Sequence, residues 1–364
     1  KTTLIQAIAA QCSPRLPSYV LCAPTGKAAR NLRDRTGLIA RTVHSALGKQ
    51  PEQDFLERVQ WRFVRLVVID EASMMTLEML AGILSSAPPN AHVVLVGDPH
   101  QLLSVGAGNV LPDLLALGIP HVFLTTSHRQ SADSAALSRN VRQFQELHSF
   151  EEFRLDDSFQ FLPRADDSDT MQTVCELGAA CYRAGESVQV LSPFNSAGKL
   201  SAANLNFTMR EMLNPATEKN SFPGVFFRDG DRVIILQNDW TQGVCNGDVG
   251  RFFLFDFDPG FFAVSCDSGM GGTASGSTSM LGLAYTITVH KSQGSEYDTV
   301  ILPLSRQFTS MMYRNLLYTA ISRAKKRVIL VGDADVAEVA LQREPPKRRS
   351  MLVQKTRMLQ ERSA

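Results

Sequence analysis

The chain has 364 residues, more than one compact core usually holds and enough for two or three domains. Apolar residues make up 44% and the net charge is +1, which excludes wholesale disorder and a uniformly basic nucleic-acid-binding coat but leaves room for a local basic channel. No run of about 18 uncharged apolar residues predicts a membrane span, and the six scattered cysteines indicate free thiols in a reducing cytoplasm.

The predicted elements begin with buried parallel strands. The segments SYVLCAPT, FVRLVVIDEAS, AHVVLVGD and PHVFLTT are nearly continuous in apolar residues, as strands covered on both faces require. Each is followed by a polar turn and a helical segment, which is the βαβ pattern of a doubly wound α/β domain. We expect this first domain to span residues 1–126.

The same pattern restarts in SVQVLSPF, DTVILPL and KRVILVGD, which predicts a second α/β domain over residues 127–213 and 283–340. Between its two parts, DRVIILQND, GDVGRFFLF and FFAVSCD are separated by Asn-Gly and Asp-Pro-Gly turns. This spacing predicts a small antiparallel β-barrel inserted at residues 214–282, with a flexible glycine- and serine-rich loop near its end. Residues 341–364 are predicted to form a basic helix or tail.

Two carboxylates end the strand in VVIDEAS. Ligand sites of α/β domains form at the carboxyl edge of the sheet, so Asp70 is a candidate for holding Mg²⁺ and Glu71 for orienting or deprotonating an attacking water. A lone Asp-Glu pair is more often a solvated turn, but the Lys-Thr at the chain start favours a nucleotide site. Lys1 and Thr2 match the end of the phosphate-binding pattern GxxxxGK[ST], with Lys1 on the β and γ phosphates and the Thr2 hydroxyl on Mg²⁺.

The glycines of that pattern are absent from the sequence. They would supply the backbone N–H groups that wrap the phosphates. We therefore expect the chain as printed to bind ATP poorly.

Other polar residues follow predicted strands or helix starts. Thr25 and Lys27 lie at a helix N-terminus, where a phosphate group is favoured. Asp98 and Gln101 follow another predicted strand, and the Gln101 side chain could contact a γ-phosphate or a water. A lone histidine such as His44 is more often an ordinary surface or core residue.

Two arginines, Arg129 and Arg323, carry the planar fork that suits a phosphoryl group. The alternative for each of them is a surface charge.

A dense polar cluster follows the strand in AYTITVHKSQGSE. Thr288, His290 and Ser292 lie next to a buried strand and have no evident packing role. Hydroxyls and a histidine placed in this way could hydrogen-bond the backbone of a nucleic-acid strand without reading its bases. Glu296 ends the cluster.

In order along the chain, ten segments resemble the motif series of the RecD-like group of superfamily-one helicases, especially its stand-alone members: KTT, APTGKAA, TVH, DEAS, GDPHQL, HRQ, VLSPFN, NGDVG, TVHKSQGSE and LLYTAISRA. The sequence departs from the family at His128, where an aromatic residue is commoner, and in QLLSVG, which lacks a proline. The resemblance implies two RecA-like P-loop motor domains with ATP and Mg²⁺ in the cleft between them. It also implies an SH3-like β-barrel in the second domain and 5′→3′ movement on single-stranded DNA.

The resemblance also implies roles for individual residues. ATP and Mg²⁺ would be bound by Lys1, Thr2, Asp70, Asp98 and Glu296. Hydrolysis would depend on Glu71, Gln101, Arg129 and Arg323. The DNA strand would be contacted by Thr25, Lys27, His44, Thr288, His290 and Ser292.

A pin that opens the duplex would lie at about residues 46–63, where Trp61 and Phe63 are either stacking groups or core residues. The implied partners are single-stranded DNA and single-strand/duplex junctions, with other repair proteins or nuclease–helicase subunits as candidates. The implied setting is DNA repair or recombination.

Two alternatives stay open. An RNA helicase of the same superfamily would use identical phosphate chemistry, and only a requirement for the 2′-hydroxyl would distinguish it. A non-catalytic fragment or subunit would retain strand binding without ATP hydrolysis.

Overall fold

The computed structural model describes residues 2–10, 18–49, 59–124, 130, 133–221, 224–239, 242–254, 262–267, 278–346 and 348–363. The chain forms two compact units, one containing Lys1–Phe123 with Pro346–Ala364 and the other containing Leu124–Pro345. Each unit contains a parallel sheet with accompanying helices, so the predicted α/β class is confirmed. No helix in these described ranges is long and apolar enough to cross a membrane.

The first unit is built on a four-stranded parallel sheet. Its elements up to Phe123 are α1 (Thr2–Ala9), β1 (Tyr19–Ala23), α2 (Gly26–Thr36), β2 (Ala40–Thr42), α3 (Val43–Ala46), β3 (Leu66–Ile69), α4 (Leu77–Ser86), β4 (His92–Leu95) and α5 (Val110–Ala116). The strand order is β2-β1-β3-β4. Strand β3 is buried throughout because its alternate residues enter cores on both faces: Val67 and Ile69 on one, Leu66 and Val68 on the other.

The strand predicted from PHVFLTT is not formed by its described residues, 120–124. Val122 is 86% exposed and Phe123 is 59% exposed. Strand β4 pairs with β3, and no other described strand lies beside it. Residues 120–124 do not pair with the edge of β4 that faces away from β3, so their N–H and C=O groups are not part of a strand ladder. The prediction is therefore wrong for residues 120–124.

The second unit is larger and contains both a parallel and an antiparallel sheet. Its elements are α6 (Ala135–Arg142), β5 (Phe159–Pro163), α7 (Asp167–Arg183), β6 (Val188–Ser192), α8 (Ala202–Leu213), β7 (Arg232–Ile235), β8 (Val249–Leu254), β9 (Phe262–Cys266), β10 (Leu281–Leu283), β11 (Thr286–Thr288), β12 (Tyr297–Leu304), α9 (Arg314–Ile321), β13 (Ala324–Gly332) and α10 (Ala334–Gln342). The parallel sheet has the order β11-β6-β12-β13-β5. Two of its inner strands, β6 and β12, are almost fully buried and are typical of a sheet covered on both faces.

The antiparallel sheet has the order β10-β7-β8-β9 and its own apolar core, which includes Val233, Phe252 and Val264. A fully buried carboxylate, Asp231, lies just before β7. Asp231 accepts hydrogen bonds from the Tyr285 hydroxyl at 3.1 Å and from other groups near α8, so the sheet is held to the neighbouring α/β core within this unit.

The C-terminal residues do not form a detached tail. Helix α11 (Leu352–Ser363) belongs to the first unit and packs against α5. Leu352 contacts the apolar core of that unit. The predicted basic helix is thus present, and it is a packed part of the fold.

The structure separates the two aromatic residues of the predicted pin. Trp61 packs against the core of the first unit, whereas Phe63 is exposed with the Arg62 guanidinium 4.6 Å from its ring. The core alternative therefore holds for Trp61. Residues 50–58 of this insertion lie outside the described residues. The five described cysteines are buried free thiols, as predicted.

Candidate nucleotide and strand-binding site

The carboxyl ends of β1, β3 and β4 meet at one edge of the first sheet. Cys22 pairs with Ile69, and Ile69 pairs with Leu95, in parallel register. The Asp70 N–H continues this register by donating to Cys22 O at 2.9 Å. Thr25, the Asp70–Glu71 pair and Asp98 follow these strands directly and therefore lie at the edge where α/β ligand sites form.

Glu71 has an unusual backbone conformation. Its φ is 51° and its ψ is 40°, and it is the only non-glycine among the described residues with a positive φ. The left-handed conformation costs a residue with a β-carbon about 1–2 kcal/mol. It is maintained because the turn is tied to β4: the Ala72 N–H donates to Val96 O at 2.9 Å, and the Val96 N–H donates to Ile69 O at 2.8 Å.

The Glu71 side chain is half-buried, and its Oε2 atom is buried with no hydrogen-bond partner among the described residues. An unsatisfied buried carboxylate oxygen is costly. Such oxygens and strained backbone are both concentrated at functional sites. The geometry therefore fits a carboxylate that is ready to accept a hydrogen bond from a water or a ligand.

Asp98 organises the loop after β4. Its Oδ1 accepts the His100 N–H at 3.0 Å, and its Oδ2 accepts from Gln101 Nε2 at 3.4 Å. Gln101 is 3% exposed. The structure thus places Asp98 as a group that orients Gln101, which is compatible with the position expected of Gln101 near a nucleotide.

The predicted strand-contacting residues of the first unit lie at the starts of two helices. The Thr25 Oγ1 caps α2 by accepting the Ala28 N–H at 3.2 Å, which leaves its hydroxyl hydrogen able to donate elsewhere. Lys27 lies in the first turn of α2 and is half-buried. His44 lies on α3 and is exposed. Lys1, Arg129 and the Thr2 side chain lie outside the described residues.

The polar cluster at residues 288–292 has a structural role that the sequence did not reveal. Thr288 Oγ1 accepts the Lys291 N–H at 3.3 Å, and Ser292 is fully buried with its hydroxyl donating to Val289 O at 2.7 Å. These two hydroxyls hold a 3-10 turn over His290–Ser292. The expectation that the cluster has no packing role is therefore wrong for Thr288 and Ser292.

His290 and Lys291 are the accessible members of that turn. Partial burial lowers the pKa of the His290 imidazole and of the Lys291 ammonium below their usual values. A neutral imidazole can both donate and accept a hydrogen bond, so His290 suits polar contacts better than a fixed positive charge. Glu296, at the end of the cluster, is half-buried.

Arg323 is 1% exposed, so the alternative that it is a surface charge is wrong. Its Nε donates to Thr319 O at 3.2 Å, its Nη1 to Ser295 O at 3.4 Å and its Nη2 to Ser322 Oγ at 3.3 Å. The contact with Ser295 joins the end of α9 to the segment that carries His290 and Glu296. Two motifs that are separate in the sequence are thus adjacent in the second unit.

Sequence reasoning missed Arg314, at the first position of α9. This arginine is 7% exposed and donates to Phe144 O at 3.2 Å, to Leu147 O at 2.9 Å and to Leu341 O. It anchors the start of the helix that leads to Arg323. The only sequence signal for this role is a single charged residue before the segment NLLYTAI. A solvent-exposed charge at the start of a helix explains the same pattern equally well.

Comparisons with known proteins agree with the ordered motifs. Residues 1–160 match the family model described as AAA domain, and residues 283–331 match the UvrD-like helicase C-terminal domain. The chain is 32% identical over 359 residues to the ATP-dependent RecD2 DNA helicase of Deinococcus radiodurans, covering 98% of this chain and 49% of that protein. It is 31% identical to the RecBCD enzyme subunit RecD of Mycolicibacterium smegmatis, covering 93% of this chain and 65% of that protein.

Solved structures show the same fold. The Bacteroides Pif1 structure bound to single-stranded DNA superposes with a TM-score of 0.54 at 18% identity, covering all of this chain and 92% of that one. The Pif1 helicase of Candida albicans gives a TM-score of 0.52 at 17% identity, covering all of this chain and 93% of that one. The chain spans about half to two thirds of the length of the RecD relatives. The resemblance predicted from the motifs is confirmed: over almost its whole length, this chain is similar in sequence to RecD-type helicases.

Proposed function

We propose that this chain is the motor part of an ATP-dependent DNA helicase that moves 5′→3′ on single-stranded DNA and couples ATP hydrolysis to strand stepping and duplex opening. The observation that carries the proposal is Glu71, which has a strained backbone and an unsatisfied carboxylate oxygen at the sheet edge shared with Thr25, Asp70 and the Asp98–Gln101 loop. The RecD2 relative from Deinococcus is itself an ATP-dependent DNA helicase by name.

In this function, Asp70 and Thr2 would hold Mg²⁺, because a carboxylate at a strand end and a hydroxyl are the hard oxygen ligands that this ion prefers. When bound, the ion would supply neutralisation of the phosphate charge. Glu71 orients the attacking water and accepts its proton, and Gln101, oriented by Asp98, contacts the γ-phosphate or that water.

The remaining nucleotide-site residues keep their predicted roles. Lys1 binds the β and γ phosphates, while Arg129 and Arg323 stabilise the charge of the transferring phosphoryl group. Glu296 contributes near the nucleotide. We also propose that the two units contain RecA-like motor domains and that strands β7–β10 form the SH3-like β-barrel.

The DNA strand is contacted by Thr25, Lys27, His44 and His290, which are exposed or half-buried. Thr288 and Ser292 act mainly through the turn that they hold, because both side chains are buried. The preferred substrates are single-stranded DNA and single-strand/duplex junctions. Repair proteins or nuclease–helicase subunits are the proposed protein partners.

The test uses a version of the protein with a complete phosphate-binding loop. We expect ATP turnover that rises on addition of single-stranded DNA and unwinding of a duplex with a 5′ single-stranded tail, but not of one with a 3′ tail. Glu71→Gln should retain ATP binding and lose turnover. Stimulation by RNA alone would indicate an RNA helicase, and strand binding without turnover would indicate a non-catalytic module.

A further inference from the structure

Arg348 lies in the C-terminal segment and contacts the loop that follows Gln101. Its Nη1 donates to Gly106 O at 2.5 Å, to Gly108 O at 3.1 Å and to Ser104 Oγ at 3.3 Å, and its Nη2 donates to Ser104 O. One guanidinium therefore has four acceptors within five residues. A planar fork with several acceptors is fixed in orientation as well as in position.

The loop at residues 104–108 is also packed closely against the start of α4. The Leu77 N–H donates to Ala107 O at 2.9 Å. A β-carbon at Gly106 would lie 2.6 Å from Thr76 Cγ2, and Gly108 has a φ of 113°, so glycine is required at two points of this contact. The backbone of the loop is therefore constrained by its contacts with both Arg348 and α4.

This loop connects two groups of the proposed ATP site. Gln101 lies three residues before the start of the loop, and α4, against which the loop packs, follows the strained turn at Glu71 through the 3-10 helix Ala72–Met74. Arg348 holds the same loop through the oxygen atoms of Ser104, Gly106 and Gly108. The segment that carries Arg348 is itself fixed to the first unit through α11 and Leu352.

We propose that Arg348 is a positioning residue for ATP hydrolysis: it fixes the 104–108 loop and thereby the placement of Gln101 and of the Glu71 turn. The inference rests on the proposed function. A displacement of about 1 Å in a catalytic constellation can cost about 10²-fold in rate. We expect Arg348→Ala to lower kcat for ATP about tenfold and to leave KM within about twofold, since the guanidinium is engaged with the 104–108 loop and is proposed to act through it. Arg348→Lys should rescue little, because an ammonium cannot reach all four acceptors.

The experiment combines turnover with hydrogen exchange in the version that has a complete phosphate-binding loop. In Arg348→Ala, the Leu77 amide should exchange faster, whereas the amide of Val68 in the central strand β3 should not change. The matched control is Arg357→Ala on α11, which removes an exposed arginine that donates to Ala116 O at 3.3 Å and should alter neither kcat nor Leu77 exchange.

The outcomes separate this inference from the proposed function. Unchanged kcat in Arg348→Ala, with an active wild-type protein, would overturn the inference alone. Equal acceleration of exchange at Leu77 and Val68 would also overturn it, because the effect would then be global destabilisation. If the wild-type protein shows no strand-stimulated turnover, the proposed function fails, and the exchange measurement alone decides whether Arg348 orders the loop.

Discussion

Replacing Glu71 should raise stability and remove activity at the same time. Two costs are concentrated at this residue: a left-handed backbone of about 1–2 kcal/mol and a buried carboxylate oxygen without a partner, worth about 1 kcal/mol or more. Glu71→Ala removes the oxygen and retains the β-carbon that causes the backbone cost. Glu71→Gly removes both, and glycine adopts a positive φ without strain.

We expect Glu71→Ala to be more stable than wild type by about 1 kcal/mol and Glu71→Gly to be more stable than Glu71→Ala by about a further 1 kcal/mol. For a typical urea dependence of about 1–3 kcal/mol per molar, each step shifts the unfolding midpoint by about 0.3–1 M. The two tryptophans are Trp61 and Trp240. In a Trp240→Phe background, fluorescence of Trp61 reports unfolding of the first unit, against whose core it packs.

The same variants should lose ATP turnover by about 10²–10⁴-fold if Glu71 is the general base. Glu71→Gln separates the two effects, because it retains both the backbone strain and the size of the side chain. Equal urea midpoints for Glu71→Ala and Glu71→Gly would refute the strain argument. Turnover of Glu71→Gln within fivefold of wild type would refute the catalytic role.

Three further predictions concern the second unit. Arg323→Lys and Arg323→Ala should each lower strand-stimulated ATP turnover by about 10³-fold or more. Because the arginine is buried among carbonyl oxygens, both variants should also reduce the free energy of unfolding by about 1–3 kcal/mol. A loss of about fivefold or less in steady-state turnover would contradict the assigned role. Burial lowers the pKa of His290 below the ordinary value of about 6.5, so the unfolded chain binds a proton at this histidine more readily than the folded chain does. The contribution of neutral His290 to folding stability is therefore complete above about pH 6.5 and is lost as the pH falls toward the folded pKa. Urea midpoints measured between about pH 5 and 8 should fall less steeply toward acid pH in His290→Gln than in wild type, and parallel profiles would count against this. Gly250→Ala should destabilise the antiparallel sheet by about 1–3 kcal/mol, because the new β-carbon would lie 2.9 Å from Cys266 Cα. The control is Gly282→Ala, in which the atom nearest to the new β-carbon would be 3.5 Å away, so the urea midpoint should change little. Equal urea midpoints for the two variants would show that the strands separate easily.

Local patterns were sufficient where one strand or one turn carries the signal. The run LVVI is buried on both faces, as its composition requires, and its end places Asp70 and Glu71 at the sheet edge. Hydrophobic continuity and the residue types of the turns are local properties, so the α/β class and the ordered motifs could be read without the structure. Because neighbouring parallel strands end at the same edge of a sheet, the residues that follow them were expected to lie together at that edge.

Other features depend on what surrounds a residue in three dimensions. The segment PHVFLTT has strand composition, yet its residues 120–124 do not pair with the edge strand β4 and form no strand. Ser292 is a residue type that often contacts nucleic-acid backbone, but here it is buried and its hydroxyl donates a hydrogen bond to Val289 O. Arg348 stands in a basic run that predicts a helix or tail at the end of the chain. Only the packing of α11 on the first unit brings its guanidinium to the carbonyl oxygens of residues 104–108, because hydrogen bonds across 240 or more positions leave no trace in local sequence.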